Sequence, residues 1–217
     1  MLLEIENLHY DVTDRPLFSG FDLSIEEQRH HLLMGPSGSG KTTLVNLICG
    51  LSSPEKGAIR VAGHDIATAS ESRRDKIRRE HIGIVFQTLR LVSALDLSAN
   101  LLLAQRLSRG ATDAPLIASV LERLGIAHRA KAKPHQMSQG EAQRAAIARA
   151  LVTRPRLLIA DEPTSALDET NARQVTDLLL ECAADYGVTL LIATHDDRLT
   201  PLFADHIVLA NPLLKAA

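Results

Sequence analysis

The chain has 217 residues, enough for one large domain or two small lobes around a substantial core, and its net charge of −2 supplies no global attraction for nucleic acid or anionic lipid. Its only cysteines, Cys49 and Cys182, sit far apart among apolar, helix-like neighbours, which argues for reduced buried thiols and against a disulfide framework or a cysteine metal site. The start lacks a basic stretch followed by an apolar one, and no apolar run approaches the roughly 20 residues that span a bilayer, so a soluble cytoplasmic chain is expected.

In chain order, Leu3 and Ile5 alternate with Glu4 and Glu6, and Phe21, Leu23 and Ile25 alternate with Asp22, Ser24 and Glu26. This period of two predicts half-exposed strands in an antiparallel sheet. His31-Leu32-Leu33-Met34 is different: it is apolar without alternation, as are Ile82 to Phe86, Leu157 to Ala160 and Val188 to Ala193. Such runs predict parallel strands covered on both faces by helices. Leu44, Leu47, Ile48 and Leu51 recur at helical spacing after the first of them, and Val175, Leu178, Leu179 and Cys182 do so before the last, which supplies crossovers between parallel strands. Arg73, Arg74, Lys76, Arg78 and Arg79, interleaved with Asp75 and bounded by Glu71 and Glu80, read as a solvated helix with paired charges. From about Leu89 to Leu151 only helices are expected; Leu116, Val120 and Leu124 share a face, with Asp113 or Thr112 as the start and Gly125 as the end. The expected organisation is a single domain over 1–217, with a sheet-containing lobe (1–87 and 152–217) interrupted by a helical lobe (about 88–151).

The chemistry gathers where the buried runs end, since ligands sit at the carboxyl ends of parallel strands. The first leads into Gly35-Pro36-Ser37-Gly38-Ser39-Gly40-Lys41-Thr42 and then Thr43, a match to G-x-x-x-x-G-K-[ST]. Glycines allow successive amides to turn toward one anion, the following helix start adds partial positive charge, Lys41 reaches the outer phosphates, and the Thr42 hydroxyl is a ligand for Mg²⁺. The run Leu157 to Ala160 ends in Asp161-Glu162. Asp161 suits the hydration shell of Mg²⁺, and Glu162 suits the water that attacks a γ-phosphate; taken alone, two acids after a strand would equally make a helix cap. Gln87 and His195 end the other two runs and gain meaning only from that shared edge.

Together with Met137-Ser138-Gln139-Gly140-Glu141-Ala142-Gln143-Arg144, these motifs resemble the ATP-binding domain of ABC transporters over essentially the whole chain. The resemblance implies an α/β P-loop NTPase fold of the ABC type, with a mostly parallel core sheet, an N-terminal antiparallel β lobe and a helical insert. It implies ATP and Mg²⁺ as cofactors, a homodimer closing around two Mg·ATP, and a membrane permease as partner, with the chain peripheral at the inner face of the cell membrane. By resemblance, the signature segment Ser138, Gln139, Gly140 and Glu141 meets the γ-phosphate held by the opposite subunit, and Asp168, in Ser165-Ala166-Leu167-Asp168, belongs to a loop that communicates across the dimer. Gln87 resembles the residue that links Mg²⁺ to the permease contact, and His195 resembles the γ-phosphate switch. The usual leucine, middle glycine and final glutamine of the signature are Met137, Gln139 and Glu141 here. A signature ending in Gly-Glu is typical of the lipoprotein-releasing, macrolide-export and cell-division types (LolD, MacB and FtsE), whose permeases are FtsX-like. The short stretch after His195 is expected to leave no room for a regulatory domain. The alternative is a soluble ABC ATPase that moves a non-transport partner, such as a cell-division or iron–sulfur assembly factor.

Two assignments concern the edges of the site. The family's adenine-stacking aromatic position falls on Val12, and Tyr10, roughly 6.6 Å away on the same side of a regular strand, is expected to approach the base; packing of Tyr10 into the sheet is the competing expectation. Leu89, Leu91, Val92 and Leu95, just after Gln87, are candidates for the permease docking surface or for packing within the helical lobe.

Overall fold

A computed structural model describes residues 1–13, 15–165 and 167–210. Its strands are β1 (Leu3–Val12), β2 (Arg15–Ile25), β3 (His31–Met34), β4 (Lys56–Val61), β5 (His64–Asp65), β6 (Ile82–Val85), β7 (Leu157–Asp161), β8 (Thr189–Thr194) and β9 (Asp205–Val208). The α-helices are α1 (Lys41–Ile48), α2 (Glu71–His81), α3 (Leu97–Arg109), α4 (Ala114–Arg123), α5 (Gln139–Leu151) and α6 (Glu169–Tyr186).

The alternating segments form a four-stranded antiparallel sheet in the order β2-β1-β4-β5, and the apolar runs form a five-stranded parallel sheet in the order β6-β7-β8-β3-β9. The parallel strands are apolar on both faces because each face meets its own core. Leu32, Leu158, Ala160, Leu190 and Ile192 point into a core shared with α3, α4, α5 and α6. Their neighbours Leu33, Leu157, Ile159, Leu191 and Ala193 point the other way, into a core closed by α1 and the antiparallel sheet. A strand's period of two thus serves two hydrophobic layers, and removing a large side chain from either would cost about 2–5 kcal/mol.

The helices begin and end where their chemistry dictates. Asp96, Asp113, Ser138 and Asp168 each accept a backbone N–H in the first turn of α3, α4, α5 and α6, and Gly110 and Gly187 end α3 and α6 in the left-handed conformation. α1 stops one turn earlier than the periodicity of Leu44, Leu47, Ile48 and Leu51 predicts: Gly50 turns the chain at φ 64°, and Leu51 lies beyond the helix, 50% exposed. The basic segment is the helix α2, with Arg78 on Asp75, Lys76 near Glu80 and a single buried residue, Ile77. Both cysteines are free and buried, and burial pushes their thiols up to about 12 for Cys49 and about 11 for Cys182, so both are inert at neutral pH.

Candidate functional site

The carboxyl ends of β3, β6, β7 and β8 deliver their following residues to one cleft of about 960 Å³, lined by Ser37, Gly38, Gly40–Thr43, Gln87, Glu162 and His195 on one side and by Val12, Thr13 and Arg15–Leu17 on the other. The loop after β3 turns sharply, with Gly38 at φ 80° and Gly40 at φ 98°, a region that side-chain-bearing residues avoid. Gly35 is needed for a different reason: a Cβ there would stand 2.9 Å from the carbonyl oxygen of Leu209.

Lys41 opens α1 and is buried, and its ammonium donates to the carbonyls of Gly35 at 2.7 Å and Pro36 at 3.2 Å while standing 3.4 Å from Glu162 Oε1. The same loop that would cradle an anion therefore also holds the cation that would face it. Ser39 is buried beneath the loop, with its hydroxyl unpaired among the described residues.

The two carboxylates after β7 have separate surroundings. Asp161 accepts a hydrogen bond from Thr42 Oγ1 at 3.4 Å, and burial pushes its carboxyl above the usual range. Glu162 points instead to the phosphate side: both its oxygens lie 3.0 Å from His195 Nδ1, and Thr194 Oγ1 donates to Oε2 at 3.3 Å. Its backbone is left-handed, φ 50°, and its N–H donates to the Ala193 carbonyl at 2.7 Å. A non-glycine residue in that region costs about 1–3 kcal/mol, and such strain gathers at functional sites because the surroundings over-determine it. Here it turns the Glu162 side chain away from Asp161 and toward Lys41 and His195.

Gln87 is exposed and donates to Ser165 Oγ at 3.4 Å, and that hydroxyl donates to the Glu162 carbonyl. Gln143, buried in α5, donates to the Pro163 carbonyl at 3.4 Å.

Not every expected residue comes to this cleft. Tyr10 does not line it: the ring is half-buried against the core beneath the antiparallel sheet and lies opposite Phe18 on β2. The register slips at this point: Tyr10 pairs with Phe18 and Asp11 with Pro16, so the extra residue is Leu17 of β2, which lines the cleft while Tyr10 stays packed on the core of the sheet. Val12 itself lines the cleft, 45% exposed. Ser138, Gln139 and Gly140 also lie outside it, exposed at the N-terminus of α5. Ser138 and Glu141 form a reciprocal cap, and Arg129 donates to Glu141 Oε1 at 2.7 Å. The Arg129 guanidinium and the Ser138 N–H together pull the Glu141 carboxyl down to about 2. Asp168 caps α6 by accepting the N–H of Asn171, which holds its carboxyl low; its neighbour Ala166 lies outside the described residues. After Gln87, Leu89 and Leu91 pack on the helical core, whereas Val92 is 43% exposed.

Thr13, Arg15, Pro16 and Leu17 were absent from the sequence expectations for the cleft. The Arg-Pro pair that opens β2 is a turn signal, but nothing in it points to a base. The residues that could hold a metal offer hard oxygen donors: the Thr42 hydroxyl, the Asp161 carboxylate and the Gln87 amide. No group of three or more His, Cys, Asp or Glu side chains suited to a metal occurs among the described residues. That pattern fits Mg²⁺, which takes one or two protein ligands and fills its shell with water and phosphate oxygens, and a cation beside Asp161 would offset the cost of burying that charge.

A glycine-rich loop between a parallel strand and a lysine-led helix, with two carboxylates at the end of another strand of the same sheet, defines a P-loop nucleotide hydrolase. A family model described as "ABC transporter" matches residues 18–165. The lipoprotein-releasing system ATP-binding protein LolD of Hydrogenovibrio crunogenus is 36% identical over 227 residues, covering 99% of both chains. The macrolide export ATP-binding/permease protein MacB of Rhodopirellula baltica is 39% identical over 84% of this chain and 27% of its own length. Among solved structures, the dimeric ATP-binding cassette MJ0796 bound to ADP and Pi superposes with a TM-score of 0.85 at 30% identity, covering 97% of this chain and 95% of that one. The chain belongs to the ABC transporter family, as an ATP-binding, ATP-hydrolysing subunit of the LolD/MacB-like branch, with the ATP and Mg²⁺ requirement of that family. No helix among the described residues is long and apolar enough to cross a membrane.

Proposed function

We propose that two copies of this chain close around two Mg·ATP and so drive an FtsX-like permease, with the chain held at the membrane surface through that partner. The observation that carries the reading is the separation within one copy of the phosphate cleft from the exposed start of α5, where Ser138, Gln139 and Gly140 cap a helix outside that cleft. A Cβ at Gly140 would meet nothing within 4 Å, so this helix start is open to an incoming anion. A second copy would bring the α5 start over the phosphates held by the first. The dimeric form of the MJ0796 cassette and the names of the LolD relatives support this reading, in which each copy comprises a sheet-containing lobe (1–87 and 152–217) and a helical lobe (about 88–151).

Within each site, the chain's own groups divide the work. The loop amides of Ser37 to Thr42 and the Lys41 ammonium bind and orient the outer phosphates. Thr42, Asp161 and Gln87 would hold Mg²⁺, which would neutralise phosphate charge there. Glu162 orients the attacking water, and His195, 3.0 Å away, steadies that carboxylate. Phosphoryl transfer asks little covalent chemistry of the protein, so positioning and charge neutralisation suffice.

Mixed dimers test the composite site. Ser138→Arg and Lys41→Ala should each inactivate a homodimer. Combined as a heterodimer, they confine both lesions to one site and leave the other intact, so about half the activity returns. No recovery in the heterodimer would refute a site shared between copies. Co-purification with an FtsX-like permease, lost on charge substitution of Val92 while basal ATPase stays normal, tests the partner.

A further inference from the structure

Arg149 lies in the last turn of α5 and spends its guanidinium entirely on backbone: it donates to the carbonyl of Arg90 at 2.5 Å and to that of Ile84 at 3.3 Å. Those two carbonyls flank the segment that carries Gln87. The same segment is closed from within, because the Arg90 guanidinium stands 4.4 Å over the Phe86 ring, and Arg90 itself is left-handed at φ 49°. Among the described residues no carboxylate pairs with Arg149, and burial together with the nearby Arg90 pushes its pKa down. Placing an unpaired cation in a half-buried site is costly, and a neutral packing residue would avoid that cost. The arrangement makes sense if the bracketed loop has to be held in one shape. α5 begins at Ser138, and its buried Gln143 reaches the Pro163 carbonyl beside Glu162. One rigid helix therefore contacts the flanks of Gln87 at one end, the Glu162 segment in its middle, and solvent through Ser138 at its start.

The geometry points to Arg149 as a positioning residue for Gln87: by clamping the Ile84 and Arg90 carbonyls, it couples the placement of Gln87 to the helix that carries the signature segment. This rests on the reading of Gln87 as a Mg²⁺ contact. Outer groups that orient a metal contact are typically worth 10–100-fold in metal affinity or activity. Arg149→Met in the full chain should raise the Mg²⁺ concentration for half-maximal ATPase by about tenfold and reduce kcat similarly, with KM for ATP nearly unchanged. It should also weaken the Mg²⁺-dependent tightening of a fluorescent ATP analogue, a readout independent of turnover. Because Arg149 acts through Gln87, the double variant Arg149→Met/Gln87→Ala should be no worse than Gln87→Ala alone. Multiplying losses in the double variant, or a lower melting temperature with unchanged Mg²⁺ dependence, would overturn the proposal. If Arg149→Met does not fold, Arg149→Lys carries the test: a lysine lacks the fork that spans both carbonyls, so the Mg²⁺ shift should persist, and a wild-type Mg²⁺ response in that variant overturns the proposal. Gln87→Ala with a normal Mg²⁺ response overturns the Gln87 reading itself, and the coupling with it. An impaired Gln87→Ala beside normal Arg149 variants overturns the coupling alone.

Discussion

The two ends of the nucleotide cleft are built on different principles. At the phosphate end, Lys41, Thr42, Asp161, Glu162, Thr194 and His195 are linked by side-chain contacts, and two of the three buried ones, Lys41 and Asp161, are charged. At the other end, Val12, Thr13, Arg15, Pro16 and Leu17 form a largely exposed wall without an aromatic platform. Fixed charge in a water-poor setting is worth far more than an exposed apolar edge. From that difference we expect this ATPase to grip the triphosphate and to hold the base loosely.

The largest effect should come from the strong end. Lys41→Ala removes charged hydrogen bonds worth about 1.5–3 kcal/mol, so ATP affinity should fall by roughly 10–150-fold in a nucleotide titration. A loss smaller than threefold would break the comparison. The weak end should instead gain from repair: Val12→Tyr supplies a stacking face worth about 1–3 kcal/mol and should tighten ATP by roughly tenfold, whereas Tyr10→Ala should leave affinity nearly unchanged. No gain from Val12→Tyr together with a large loss in Tyr10→Ala would place the base on Tyr10 and contradict the cleft described here. The wild type should also separate ATP from GTP poorly, since phosphate contacts do not read the base.

The smallest effect concerns the exposed start of α5. Glu141 titrates at about 2 when folded, below its ordinary 4.5, because Arg129 and the Ser138 N–H favour its charged form. A depressed carboxylate pKa contributes stability that is fully present above about pH 4.5 and is lost as pH falls through about 2. Glu141→Gln should therefore be slightly less stable than wild type at pH 7, with the gap in melting temperature closing between about pH 4.5 and 2. A gap that stays constant with pH would remove the role of charge in this cap.

The same contrast explains what could be read from the chain alone. The phosphate end is written in contiguous residues: Gly35 to Thr42 is one turn, and Asp161-Glu162 is one strand end, so their chemistry follows from spacing. The parallel strands were legible because burial on both faces suppresses alternation. β9 was missed for the opposite reason, since this edge strand, Asp205–Val208, alternates in exposure and looks like no buried run. The base end depends on an extra residue in β2, Leu17, opposite the step from Tyr10 to Asp11, which no local pattern announces. Arg149 and Gln143 resembled ordinary polar positions of a helix, and their acceptors, Ile84, Arg90 and Pro163, come from distant segments. Ser138 and Glu141 were recognisable through the signature, yet their reciprocal cap follows from the Ser-x-x-Glu spacing alone.

The central claim is that hydrolysis takes place in a dimer closed around ATP, with Glu162 acting on water after binding is complete. Glu162→Gln keeps the shape of the side chain, so it should bind ATP while turnover falls by at least about a hundredfold, within the range of acid–base contributions. Light scattering of this variant with Mg·ATP should show the mass of two chains, returning to one when nucleotide is removed. A variant that remains a single chain under those conditions and hydrolyses ATP at the wild-type rate would contradict the account.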